Sequence, residues 1–101
     1  MKTMYMKVHE TKKEKVVAAC DKELLGAVLD DGRAYLDLKM FRAFYEGELI
    51  GEKELEDALS GFGSANLVGK RAVAVALRLK LAKKDSVMYI NKTPHIQIYR
   101  F

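Results

Sequence analysis

Residues Phe62–Arg71, FGSANLVGKR, hold the side chains and spacing best suited to chemistry in this 101-residue chain. They read as a loop opening a long apolar helix over 66–82, with Lys70 and Arg71 in its first turns. A helix start presents unpaired backbone N–H groups and the positive end of the dipole. The added cations make it an expected anion cradle, with Asn66, Lys70 and Arg71 as contacts and Arg78 on the same helix boundary. Two known phosphate motifs are approached and neither is matched. A P-loop has four residues between its glycines and a Ser or Thr after the Lys. Here five residues separate Gly63 from Gly69, and Arg71 replaces the hydroxyl. A dinucleotide fingerprint needs glycine where Asn66 stands, and it follows a strand, whereas a helix is expected before this segment. The alternative is structural: Asn66 caps the helix and Gly69 permits close packing.

Two other constellations merit weighing. Phe44-Tyr45-Glu46 places adjacent aromatics beside an acid. Two neighbours on a strand cannot both point inward, so one aromatic is a candidate contact for a partner. Glu46 and Glu48 repel phosphate and suit a basic protein better. Cys20, Asp21, His9 and His95 would form a Cys–His nucleophile if the fold brought them together. No third orienting group is visible, and no Cys or His pair has zinc spacing. No metal site and no cofactor are expected.

The elements that must position these residues follow from periodicity. Met4–His9 alternates and reads as a strand, and Val16–Cys20 reads as a strand covered on both faces. Asp21 sits at the N-cap position of a short helix ending near Asp30-Asp31-Gly32, and Arg33–Leu38 alternates as a third strand. Residues 40–50 resist assignment, and Glu52–Leu59 is an acidic helix. Two apolar sides on the 66–82 helix imply deep burial. Val87–Asn91 and Pro94–Phe101 complete five strands, with a tight turn between them. The expected architecture is α+β, with helices on one face of a largely antiparallel sheet.

Size allows one domain, residues 1–101. One proline and seven glycines argue against disorder. No apolar run nears the roughly 20 residues needed to cross a bilayer, and no signal peptide is expected. A single cysteine fits a reducing cytoplasm. Net charge is +4 but unevenly spread: +3 over residues 1–20, −6 over 21–60 and +7 over 61–101. If both ends of the chain lie together, one basic side results, and that favours polyanions.

Four segments together resemble an archaeal domain-of-unknown-function family, number 424: Ala19–Gly26, Phe44–Glu48, Ala65–Ala72 and Pro94–Ile98. The resemblance runs the length of the chain. It implies a compact two-layer sandwich and no activity, while an association of such genes with translation leans the expectation toward RNA. The first expectation is therefore a non-enzymatic binding module for RNA or a ribonucleoprotein, acting through a basic surface and helix N-terminus. The alternative is a protein-interaction module, monomer or homodimer, using Phe44, Tyr45 and Glu46 or a strand edge at 94–101. A second alternative is a small-substrate enzyme using Cys20 and His95.

Overall fold

The chain begins with a hairpin whose strands, β1 (Met4–Glu10) and β2 (Lys15–Asp21), pair antiparallel from Met4 opposite Asp21 to Glu10 opposite Lys15. Thr11 organises the turn: its Oγ1 accepts the N–H groups of Lys13 and Glu14 at 3.2 and 3.0 Å. The structure is a computed structural model describing residues 1–99. After one 3-10 turn at Lys22–Leu24, the chain forms β3 (Val28–Asp30) and β4 (Tyr35–Asp37). Next come α1 (Arg42–Tyr45), β5 (Glu48–Ile50) and α2 (Glu52–Ala58). Then follow β6 (Ser64–Val68), α3 (Lys70–Arg78), β7 (Met88–Ile90) and β8 (Thr93–Tyr99).

The fold is α+β, built on a mixed six-stranded sheet ordered β5-β1-β2-β6-β8-β7, with a separate two-stranded sheet of β3 and β4. Four of the five pairings in the main sheet are antiparallel, in keeping with the expected largely antiparallel sheet, but it has six strands in place of five, and two further points are corrected. Strands β2 and β6 run parallel at its centre, and both faces are covered rather than one. Val17, Ala19, Ala65, Leu67, Ile96 and Ile98 pack with α2 and α3 on one face. Ala18, Cys20, Val68 and Ile90 pack with Leu29, Leu38 and Tyr45 on the other. The reading of Val16–Cys20 as a strand buried on both sides holds for β2, since its successive residues enter opposite cores.

The expected 66–82 helix is the main correction. Its first part is the strand β6, and α3 begins only at Lys70. A central strand beside a parallel neighbour is apolar on both faces, so it lacks the alternation that marks an exposed strand. Gly69 makes the break, with φ at 107° between strand and helix. The expected helix after Asp21 is likewise a single 3-10 turn, stopped by Gly26 at φ 90°. Arg33–Leu38 does contain a strand, β4, but it pairs with β3 outside the main sheet. The unassigned 40–50 segment supplies α1 and β5. Glu52–Leu59 is helical as read, with the Glu54 carboxylate accepting the Gly51 N–H at 3.0 Å. The turn between β7 and β8 uses Asn91 and Lys92, both at positive φ, which suits a two-residue hairpin. The final two residues of the expected last strand, Arg100 and Phe101, lie outside the described residues.

Candidate basic cleft at the carboxyl ends of the parallel strands

Because β2 and β6 are parallel, Asp21 and Gly69 leave the sheet side by side at the same end. The chain from Gly69 turns directly into α3, whose first-turn N–H groups need acceptors. Asp21 supplies them. Its Oδ2 accepts the Arg71 N–H and its Oδ1 the Ala72 N–H, both at 3.0 Å. A side chain at position 69 would run into that carboxylate, so glycine is required by space as well as by φ. The Gly69 N–H meanwhile donates to the Pro94 carbonyl at 2.8 Å, locking the turn to β8. The anion cradle read from the sequence is thus filled by the protein's own carboxylate. The positions a dinucleotide fingerprint would use, Gly61, Gly63 and Asn66, follow the helix α2 and run into β6 instead of linking a strand to a helix, so both objections to that motif stand.

Electrostatics follow from this geometry. Burial pushes the Asp21 carboxyl above its usual range, against the opposing pull of its two N–H donors. The Arg71 guanidinium turns outward, 2.6 and 2.8 Å from the Glu23 carboxylate and 3.8 Å from Asp21. Its hydrogen bonds hold Glu23 below the ordinary glutamate range.

The four residues expected to bind an anion do not form one set. Lys70 and Arg71 sit together at the start of α3. Arg78, in its last turn, bridges to α2 through Glu52 and Glu56, each at 2.9 Å. Asn66 lies in β6 between Ala18 and Gln97. There its side chain faces the opposite side of the sheet from α3, because Ala65 and Leu67 take the helix side.

What gathers around Lys70 and Arg71 instead is a set of lysines from distant segments. A cleft of about 710 Å³ lies between Met1–Thr3, the start of α2 and the first turns of α3, and holds Lys2, Lys53, Lys70 and Arg71. A second, about 550 Å³, adds Lys22 and Tyr5 on the far side of Arg71. A third, about 320 Å³, runs past Asp21 and Gly69 to Thr93 and Pro94. Arg71 lines all three. Among the described residues, Lys2, Lys22, Lys53 and Lys70 make no ion pair. The carboxylates nearby are engaged: Glu23 by Arg71, Glu52 by Arg78 and Glu54 by the Gly51 N–H. Sequence reasoning missed Lys2, Lys22 and Lys53 as site residues. The positive charge of residues 1–20 was the one available signal, and it pointed to Lys2 only.

The other constellations are dispersed or buried. Cys20 is fully buried, and its thiol is pushed up to about 12, first by burial and then by the charge of Asp21. His95 shares a face with Cys20 but stands two strands away, with Val68 between them. At about 4.8 Å per strand, their α-carbons are about 10 Å apart. The His95 Nε2 is buried without a hydrogen-bond partner among the described residues, and burial lowers the affinity of the ring for a proton. His9 is at the other end of the hairpin, stacked on Phe44 with ring centroids 4.6 Å apart. Among the described residues no group of three His, Cys, Asp or Glu side chains could hold a metal. Tyr45 is buried and Phe44 half-buried in the second core, while Glu46 pairs with Arg42 at 3.1 Å.

No helix among the described residues is long and apolar enough to cross a membrane. A solved structure, that of an uncharacterized conserved protein from Methanopyrus kandleri, superposes with a TM-score of 0.76 at 25% sequence identity. The match covers 95% of this chain and 90% of that one. No curated protein matches. The profile of one protein family spans residues 9–101. The chain belongs to that family, described as protein of unknown function DUF424.

Proposed function

We propose that this domain is a non-enzymatic binding module for RNA or a ribonucleoprotein, with translation as the setting that the family resemblance suggests. The observation that carries the reading is the convergence of Lys2, Lys22, Lys53, Lys70 and Arg71 around two clefts that share Lys2 and Arg71, at the carboxyl ends of β2 and β6. Crevices at such strand ends are where open α/β sheets take ligands. Exposed ammonium groups without ion pairs neutralise phosphates and release counterions, and that release drives binding. The contacts come mainly from side chains, because Asp21 occupies the Arg71 and Ala72 N–H groups at the start of α3. Arg78 is committed to α2 and contributes to the field rather than to contact.

A salt series tests this. Fluorescence anisotropy with a labelled structured RNA should show affinity falling steeply as salt rises. Lys2→Glu combined with Lys70→Glu should weaken binding and lower the salt slope by about one per lost phosphate contact. Arg71→Glu is a poorer probe, since it also disturbs Asp21 and Glu23. Binding that ignores both salt and the lysine changes would refute the reading.

A protein-interaction role is favoured by one separate observation. Val28, Tyr35, Met40 and Phe41 are exposed apolar side chains near β3 and β4, in place of the expected Phe44 and Tyr45. Light scattering that finds a dimer dispersed by Phe41→Ser would support it. Enzymatic use of Cys20 and His95 gains nothing from the geometry: the thiol stays protonated and Val68 separates the pair.

A further inference from the structure

The layer over the second face of the main sheet stops short. It covers Ala18, Cys20, Val68 and Ile90. Beyond that line, toward the β1–β2 turn, the same face continues through Asn66, Gln97 and Tyr99. Register places Asn66 opposite Gln97 and Ser64 opposite Tyr99. Met88 stands beside His95 on the next strand and shares this side. Tyr99 is 61% and Met88 56% exposed. Gln97 is exposed and Asn66 half-buried, and neither amide has a hydrogen bond to another described residue.

We propose that this open patch docks unpaired nucleobases of single-stranded RNA, a deepening that rests on the RNA reading above. An exposed tyrosine ring is a stacking platform for any base. Two free amides beside it each offer a donor and an acceptor, the pattern needed to read a base edge. Residues two apart on a strand lie about 7 Å from each other, so Tyr99 and Gln97 can engage a stacked base and its neighbour's edge together. Its aromatic and amide groups are neutral, and charges of both signs lie at its margin, with cations in excess. Lys12 and Lys13 sit in the β1–β2 turn at the end of the sheet where Tyr99 lies, as the pairing of Val16 with Ser64 and Ser64 with Tyr99 shows. Of the carboxylates at that end, Glu14 accepts a hydrogen bond from Ser64 and Glu10 stands opposite Lys15. An aromatic-amide surface whose edge carries three lysines, Lys12, Lys13 and Lys15, against two carboxylates, Glu10 and Glu14, complements bases flanked by phosphates. It complements an acidic or apolar protein segment less well.

Anisotropy with three labelled probes of equal length distinguishes the outcomes: an oligouridylate, the same strand carrying abasic sites, and a duplex hairpin. The oligouridylate should bind at least about 5-fold more tightly than the abasic strand. Tyr99→Ala should weaken oligouridylate binding roughly 5- to 150-fold, the value of one lost stack. Tyr99→Phe should retain it, and the salt slope should not change because no phosphate contact is lost. Gln97→Ala is an independent probe at an exposed site, expected to weaken base discrimination. Equal binding of the abasic strand, or indifference to both Tyr99→Ala and Gln97→Ala, overturns the patch. If Lys2→Glu with Lys70→Glu still weakens binding in that case, the basic-cleft reading survives alone. If the wild-type protein binds none of the probes at low salt, both fall.

Discussion

Replacing Asp21 by alanine tests the junction on which the whole end of the sheet depends. The carboxylate joins the end of β2 to the start of α3 through two hydrogen bonds of 3.0 Å. Alanine leaves the N–H groups of Arg71 and Ala72 without acceptors, and Ala72 is fully buried. An unpaired buried donor costs about 1–3 kcal/mol, and loss of a helix cap costs about 0.5–2 kcal/mol. Relief of the buried charge offsets part of this, since burial is the largest influence on the Asp21 carboxyl. The expected net loss is about 2–4 kcal/mol, a large part of the ~5–15 kcal/mol typical of a domain. Urea denaturation followed by far-UV circular dichroism measures it. Glu23→Ala is the matched control. It removes only the exposed Arg71 partner and should change stability by less than about 1 kcal/mol. A loss for Asp21→Ala no larger than for Glu23→Ala would refute the reasoning that this carboxylate anchors α3. The pH dependence adds a sign. The Asp21 value is raised in the folded state, so between the ordinary 3.8 and the raised value the folded chain holds a proton that the unfolded chain has lost. Stability from this group is therefore present at acid pH and falls as pH rises through that window. The stability difference between wild type and Asp21→Asn should move in favour of the variant over the same rise.

Gly69→Ala should lose about 2–5 kcal/mol, from strain at φ 107° and from overlap with the Asp21 carboxylate. An Asp21→Ala background removes the overlap with the carboxylate and leaves only the approach to the residue 21 Cβ, so a double-mutant cycle should show coupling, and strict additivity would argue against the contact. Leu67→Ala, at a fully buried position of β6, should lose about 2–5 kcal/mol in the same urea assay. Cys20, with its thiol pushed up to about 12, should resist thiol reagents at neutral pH until the protein is unfolded, and rapid labelling of the native state would contradict its burial. Arg78→Ala should leave the urea midpoint close to the wild-type value, because its two pairs with Glu52 and Glu56 are solvent-screened.

Some of this molecule was legible from its residues. The β1–β2 hairpin showed in the alternation of Met4–His9, and the double burial of β2 showed in the unbroken apolar run Val16–Cys20. The acidic helix α2 and the final hairpin were also readable, because their periodicity or turn chemistry is local. The family segments were recognisable for the same reason, being short contiguous strings. The stretch Ser64–Arg78 failed because a strand buried on both faces and a buried helix share one apolar composition. Gly69, read as a packing glycine, was the break between them. The helix after Asp21 failed because a good cap residue was taken to cap its own segment, when it caps α3 some fifty residues away.

Local order in the chain determined the charge layout, the hairpins and the positions where glycine punctuates the fold, since those depend on near neighbours and backbone sterics. Tertiary structure alone decided which carboxylate met which helix start, and which lysines came together. The parallel pairing of β2 with β6 sets residues about fifty positions apart side by side. That pairing spent the expected anion cradle on Asp21, sent Asn66 to the opposite face, and brought Lys2, Lys22, Lys53 and Lys70 around Arg71. No periodicity encodes such a meeting, because it is fixed by strand order and not by spacing along the chain.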